Sequence, residues 1–272
     1  MTRIGLSASP LDSIKNELKN VYKFRFVTYA YVSTNIKLRY RRSYLGFLWT
    51  VLAPMTHYLI MGFVFTMLMG RNRAGYFEYY FTGALFFSLI SGILNRSITT
   101  FLINEHFIKK IYVPKLTFIV NSVGIELTNF VLSGSALVFL GVIFGRIHFT
   151  PVCLLAIIPV ILGAFALAGL SCLISLATVY FRDFTNIIPA VVQAMFFATP
   201  VIYDQSMIPE QYKALIYYNP LYYILELFRN PLLSNTIPPI EYYIFAALFS
   251  LVCFVTGILV LLKFDNRIVF KL

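Results

Sequence analysis

The chain alternates long apolar blocks with short stretches that hold nearly all of its charge. A helix needs about 20 predominantly apolar residues to cross the hydrocarbon layer of a bilayer. Blocks at 47–69, 77–94, 116–145, 151–180, 187–202 and 240–262 meet or approach that length and predict an all-α protein with six transmembrane helices. Pro54, Pro189 and Pro200 fall inside them, which membrane helices tolerate because neighbouring groups satisfy the freed carbonyl.

The stretches between blocks carry patterns of their own. Residues 1–20 are largely polar and are expected to be poorly ordered. Over 21–44, Phe24, Val27 and Tyr31 recur at helical spacing among Lys23, Arg25, Asn35, Lys37 and Arg39. That pattern predicts an interfacial amphipathic helix in the headgroup plane, with a solvated basic tail as the alternative. The segment 96–115, RSITTFLINEHFIKKIYVPK, is basic and polar but spaces Ile103, Phe107, Ile108 and Ile111 helically. It predicts a short amphipathic helix ended by Pro114. The run YNPLYYILELFRNPLL at 218–233 is too short, and too often interrupted by Pro220 and Pro231, for a crossing. A short re-entrant or interfacial helical pair on the outer side fits it better. The layout is thus an N-terminal region, 1–46, a transmembrane domain, 47–262, and a tail, 263–272.

Composition narrows the class. Of 272 residues, 59% are hydrophobic and 12% charged, where a soluble domain carries about 25% charged. A soluble enzyme is excluded. The net charge of +11 would suit nucleic acid, but the cations gather at block ends, where lipid headgroups account for them; no nucleic-acid partner is expected. Cys153, Cys172 and Cys253 lie in apolar runs without CxxC spacing, so neither a metal site nor a disulfide frame is expected. The first 46 residues lack the apolar core and cleavage site of a signal peptide. No Walker A, HExxH or dinucleotide glycine pattern occurs in the sequence, so any use of ATP requires another chain.

The cations also orient the helices. Lys37, Arg39, Arg41 and Arg42 abut the first block. With six spans, Arg3, Lys15, Lys19, Lys23, Arg25, Arg96, Lys109, Lys110, Lys115, Arg182, Lys263, Arg267 and Lys271 share their side. Arg71, Arg73, Arg146, Lys213 and Arg229 remain for the other. The positive-inside rule then puts both termini in the cytoplasm.

The pattern KxRYRxSxLGxLWxxLxP, formed by Lys37, Arg39, Tyr40, Arg41, Ser43, Leu45, Gly46, Leu48, Trp49, Leu52 and Pro54, resembles the entry motif of the membrane-spanning subunits of ATP-binding-cassette polysaccharide exporters. The resemblance continues through NEHFIKKIYVPK at 104–115, Tyr180-Phe181-Arg182-Asp183, PVIYDQSMIP at 200–209 and Asn219-Pro220-Leu221. Thr199 departs from it, since serine is more usual there. The resemblance implies a homodimeric permease in the bacterial cytoplasmic (inner) membrane, without enzymatic activity or cofactor of its own. Two copies of a separate ATPase would hold ATP and Mg. The implied cargo is a lipid-linked polysaccharide, such as O-antigen on undecaprenyl diphosphate. Teichoic acid, capsule, a drug or a small lipid would use the same build. A membrane-embedded glycosyltransferase would need clustered acids or histidines, whereas Glu105, Glu126 and Asp183 are scattered.

Candidate roles follow from the resemblance. Asn104, Glu105, His106, Phe107, Lys109 and Lys110 would couple to the ATPase, unless their helix merely lies on headgroups. Arg39, Arg41 and Arg42 would meet the lipid diphosphate, since guanidinium forks suit phosphate oxygens; orienting the first span is the alternative. Aromatics make up 17% of the chain. Tyr58, Phe63, Tyr79, Tyr80, Phe86, Phe87, Phe196, Phe197 and Tyr203 would line a sugar path, or else pack against core and lipid. The pair after Tyr203 would close the outer end of the pore. Glu126, with Asn129 nearly a turn later, is either a functional carboxylate or a structural bond between helices. His57 is expected to be packed. Gly141 with Gly145, and the row Ala164, Ala168, Cys172, mark places where helices could approach closely.

Overall fold

The computed structural model describes residues 10–39, 41, 43–68, 76–111, 113–143 and 150–272, and every regular element among them is helical. In chain order these are α1 (Pro10–Lys23), α2 (Arg25–Arg39), α3 (Trp49–Leu68), α4 (Tyr76–Ile103), α5 (Glu105–Lys110), α6 (Lys115–Ile143), α7 (Ile157–Tyr180), α8 (Phe184–Ala198), α9 (Glu210–Tyr217), α10 (Pro220–Leu233) and α11 (Ile240–Lys271). Short 3-10 turns precede α3, α7 and α9. Among the described residues, four stretches are long and apolar enough to cross a membrane: Tyr76–Ile103, Lys115–Phe139, Pro151–Tyr180 and Ile240–Asp265. The first and fifth predicted spans correspond to shorter apolar helices, Val51–Val64 and Phe184–Ala198.

α4 is the centre of the bundle and packs on α3, α6, α7, α8 and α10. Its Tyr80, Phe81, Leu85, Phe86, Leu89 and Ile93 are all fully buried. The helix runs past the predicted end at 94 because its next polar residues find partners inside the bundle. Ser97 Oγ and Thr100 Oγ1 donate back to the carbonyls of Leu94 and Arg96 at 2.6 and 3.0 Å. Thr100 and Ser122 hydroxyls meet at 2.9 Å, and Ser175 Oγ donates to the Ser97 carbonyl at 2.7 Å. A polar run therefore continues a helix where facing helices satisfy it.

α7 and α11 pack most extensively, and their backbones nearly touch. A Cβ on Gly169 would stand 2.0 Å from the Cys253 carbonyl oxygen, and one on Gly257 would stand 2.2 Å from that of Gly169. The row Ala164, Ala168, Cys172 pointed to the right helix, but the closest approach is at the glycine beside it. Gly145 lies outside the described residues.

Three expectations at the ends of the chain are corrected. Residues 10–20 are helical, with Ile14 and Val21 of α1 packed against the core. The single helix expected over 21–44 is two helices that break at Phe24. The tail expected at 263–272 continues α11 to Lys271, with Ile268 fully buried. His57 also differs, sitting on an exposed face of α3.

Candidate functional site

The joint between α4 and α5 is Asn104, only 5% exposed. Its Nδ2 donates to the Thr100 carbonyl at 2.8 Å, and its Oδ1 accepts from Tyr31 Oη at 3.3 Å. Asn104 therefore ties α2 to the root of α5 and is not an outward-facing contact. The α5 helix itself is held by buried Ile108, while Phe107, Ile103 and Ile111 are more than half exposed. His106, Lys109 and Lys110 are exposed beside them. Lys109 Nζ bonds Glu105 Oε1 at 2.6 Å, one turn apart. That bond and the Lys109 charge, with smaller effects of His106 and Arg182, hold the Glu105 carboxyl below its ordinary range. Arg182, at the corner between α7 and α8, is near enough to add to that effect.

The same end of the bundle gathers both described termini. Lys115 Nζ donates to the Asp265 carboxylate at 2.5 Å and to its carbonyl at 2.7 Å, joining the root of α6 to α11. Glu17 of α1 lies close enough to feel both charges; burial, then Asp265, raises its carboxyl, with Lys115 opposing.

Arg39 belongs to a polar chain that crosses three helices. Its Nη1 donates to Asn129 Oδ1 at 3.1 Å, Asn129 Nδ2 donates to Glu126 Oε2 at 2.9 Å, and Glu126 Oε1 pairs with Arg96 at 2.6 Å. Gly92 makes room, since a Cβ there would stand 2.7 Å from Glu126 Oε2. α4 is 28 residues long, about 42 Å at 1.5 Å per residue, some 12 Å more than a hydrocarbon layer of about 30 Å. The Arg96–Glu126 pair lies toward the polar α5 end of that helix, and Glu126 is a paired carboxylate inside the bundle. Arg41 is exposed beyond α2; Arg42 lies outside the described residues.

At the opposite end the non-helical run after α8 is bound by side chains at almost every carbonyl. Asn219 Nδ2 donates to the Ala198 carbonyl at 3.2 Å. Arg229 donates to those of Pro200 and Val201 at 3.0 and 3.4 Å, and to Glu226 Oε1 at 3.2 Å. Tyr76 Oη donates to the Ile202 carbonyl at 2.6 Å, and Tyr79 Oη lies 3.0 Å from that of Tyr203. Irregular backbone survives at membrane depth only where it is buried in protein and satisfied in this way. The Arg229 guanidinium also lies 3.7 Å from the Tyr79 ring centroid, and a Cβ on Gly83 would collide with its Nη2. Sequence reasoning left Arg229 among the exposed outer cations, yet it is 2% exposed. The available signal was Glu226 and Arg229 at i, i+3 within an otherwise apolar helix.

The proposed lining aromatics separate into two groups. Tyr80, Phe86 and Phe87 are buried inside the chain, Phe86 against Phe130 and Phe228 and Phe87 against Phe196. Tyr79, Phe196 and Tyr203 are half-buried, and Phe63 and Phe197 are exposed. Phe196, Phe197 and Tyr203 lie together, with Tyr203 Oη on the Phe197 carbonyl. The side chain of Tyr58 lies outside those described.

Comparison with known proteins supplies a lineage. The family model described as ABC-2 type transporter matches residues 25–233. The chain is 28% identical over 226 residues to the O-antigen export system permease protein RfbA of Myxococcus xanthus, covering 82% of this chain and 86% of that protein. A protein of the same name from Klebsiella pneumoniae is 27% identical over 232 residues, covering 83% and 86%. The polysialic acid transport protein KpsM of Escherichia coli is 23% identical over 229 residues, covering 82% and 87%.

Proposed function

This chain belongs to the ABC-2 type transporter family, and on that footing we propose that it is the membrane-spanning subunit of an ATP-driven exporter of lipid-linked polysaccharide, O-antigen on undecaprenyl diphosphate. Two copies form the pore and two copies of a separate ATPase supply ATP hydrolysis. The observation that carries the reading is α5. It is a short helix at the end of two long ones, rooted by buried Ile108 and Asn104, and it presents Phe107, Ile111, Lys109 and Lys110 outward. An exposed apolar pair ringed by cations suits a protein cleft better than bulk water.

In this reading the α5 end faces the cytoplasm, both termini with it, and α3 and α8 complete six crossings. Their largely exposed apolar faces suit burial against a second copy. α8 is only 15 residues long, about 22 Å, and the bonded run after it extends the crossing. Arg39 and Arg41 stand at the boundary where a diphosphate headgroup would enter, and Arg42 is placed with them by the sequence. Tyr79, Phe196, Phe197 and Tyr203 keep exposed surface with which to meet sugar rings, and α9 with α10 closes the outer end. The similarity to the polysialic acid transport protein KpsM favours a polymer of that kind as the second reading.

Deleting the chain in its own cell and assaying lipid-linked glycan on both faces tests the proposal. Polymer held in the cytoplasm under a bare surface supports it; an unchanged surface removes it. Reversing Lys109 and Lys110 to glutamate should abolish capture of the ATPase while leaving membrane insertion intact.

A further inference from the structure

The α5 end of the bundle carries a second feature that neither coupling nor glycan passage uses. Leu173, Leu176, Ala177 and Tyr180 of α7, Phe181 and Phe184 at the turn into α8, and Val260 and Phe264 of α11 enclose an open groove of about 410 Å³. The volume lies within the range of roughly 300–1,000 Å³ typical of small-molecule sites. The side chains around it are apolar apart from the Tyr180 hydroxyl, and Tyr180 and Phe264 meet edge to face across it, with ring centroids 5.9 Å apart.

Cations frame this groove. Arg182 follows directly on Phe181, Lys263 precedes Phe264, and Arg267 stands one turn beyond Lys263 and two beyond Val260, with its guanidinium 5.9 Å from the Phe264 ring. All three are exposed. None forms an ion pair among the described residues, whereas Lys115, Lys109 and Arg96 at the same end are paired. Asp183 is the exposed acid beside Arg182, and Asp265 is engaged by Lys115. The rim therefore keeps a net positive charge.

We propose that this groove binds one anionic phospholipid from the leaflet at the α5 end, an acyl chain lying along α7 and α11 and the phosphate meeting Arg182, Lys263 and Arg267. The charge pattern favours a lipid anion over a neutral one, because cations clustered at the headgroup level between membrane helices recognise acidic headgroups. The groove lies at the last turns of α7 and near residue 264 of α11, where the apolar blocks give way to charge, so chain and headgroup are matched in depth. The site depends on membrane residence but not on which cargo is exported.

The test uses the full chain, delipidated in a neutral detergent, given dioleoylphosphatidylglycerol or dioleoylphosphatidylcholine and examined by native mass spectrometry. Retention of one phosphatidylglycerol per chain, with little phosphatidylcholine, is expected. Two variants probe the two halves of the site. Replacing Arg182, Lys263 and Arg267 together by glutamine should lower phosphatidylglycerol retention by at least about tenfold, given the attraction each surface cation contributes. Ala177→Trp should fill the groove and displace the lipid with the rim charges intact. Equal retention of both lipids, or retention unchanged in both variants, overturns the proposal. So does loss of ATPase capture by Ala177→Trp with unchanged lipid retention, which would assign the groove to the partner protein. Far-UV circular dichroism of each variant separates displacement from misfolding.

Discussion

Replacing Arg229 by methionine probes the best-defined buried charge in the molecule. Methionine follows the arginine stem and keeps the site apolar, but it removes donors to the Pro200 and Val201 carbonyls and to Glu226, and it removes the cation from the Tyr79 face. Hydrogen bonds to a charged group contribute about 1.5–3 kcal/mol each, and stripping one partner from a buried pair costs about 3–5 kcal/mol. Two features limit the loss. Tyr79 Oη still lies 3.3 Å from the Pro200 carbonyl oxygen, and Arg229 Nε has no partner among the described residues, so one unsatisfied group disappears. A net loss of about 3 kcal/mol is expected, at the low end of that range. Equilibrium unfolding of the purified chain in mixed micelles, followed by far-UV circular dichroism, measures it. Adding Glu226→Gln should restore part of the loss by neutralising the stranded carboxylate. Arg229→Lys should remain well below the parent, because a point charge cannot serve two carbonyls and a carboxylate at once. A methionine variant within about 1 kcal/mol of the parent would refute the claim that this arginine holds the run after α8 in place.

Gly169→Val should disrupt the α7–α11 crossing, since its Cβ falls 2.0 Å from a backbone oxygen that cannot swing away; overpacking of about 1–3 kcal/mol or more is expected, and an unshifted unfolding midpoint would contradict it. Glu17 supplies a pH dependence. Its carboxyl is raised above the ordinary 4.5, first by burial and then by Asp265, so the protonated form is the one the folded state prefers. Docking of α1 is firmest in acid and weakens as pH rises from that ordinary value through the raised one. Hydrogen exchange over residues 10–23, corrected for intrinsic rates, should show this trend in the parent and lose it in Glu17→Gln; the same trend in both would refute it. Tyr31→Phe deletes the bond to Asn104, a loss of about 1 kcal/mol, so amides of α2 should exchange about fivefold faster while those of central α4 are unchanged. Equal exchange in α2 would show that the bond does not hold that helix.

The sequence was most legible where periodicity and charge agreed. The apolar blocks located α4, α6, α7 and α11 to within a few residues at their apolar ends, because nothing but a helix satisfies its own backbone in hydrocarbon. The pattern Phe107, Ile108, Ile111 likewise found α5, although the helix is confined to Glu105–Lys110. It misled where polarity was taken for exposure. Ser97, Thr100 and Arg229 look like loop or surface residues in one dimension, yet each is buried against a partner from a distant part of the chain.

Membrane residence and the placing of the apolar blocks follow from the sequence alone, since hydropathy acts locally and needs no partner. Which polar groups meet does not. The chain from Arg39 through Asn129 and Glu126 to Arg96 joins residues up to 90 positions apart, and the contact of Gly169 with Cys253 depends on two helices crossing at one point. In hydrocarbon, bare helices gain little from mere apolar contact. Close backbone approach and satisfied polar pairs therefore decide the packing, and these exist only once the tertiary structure has formed.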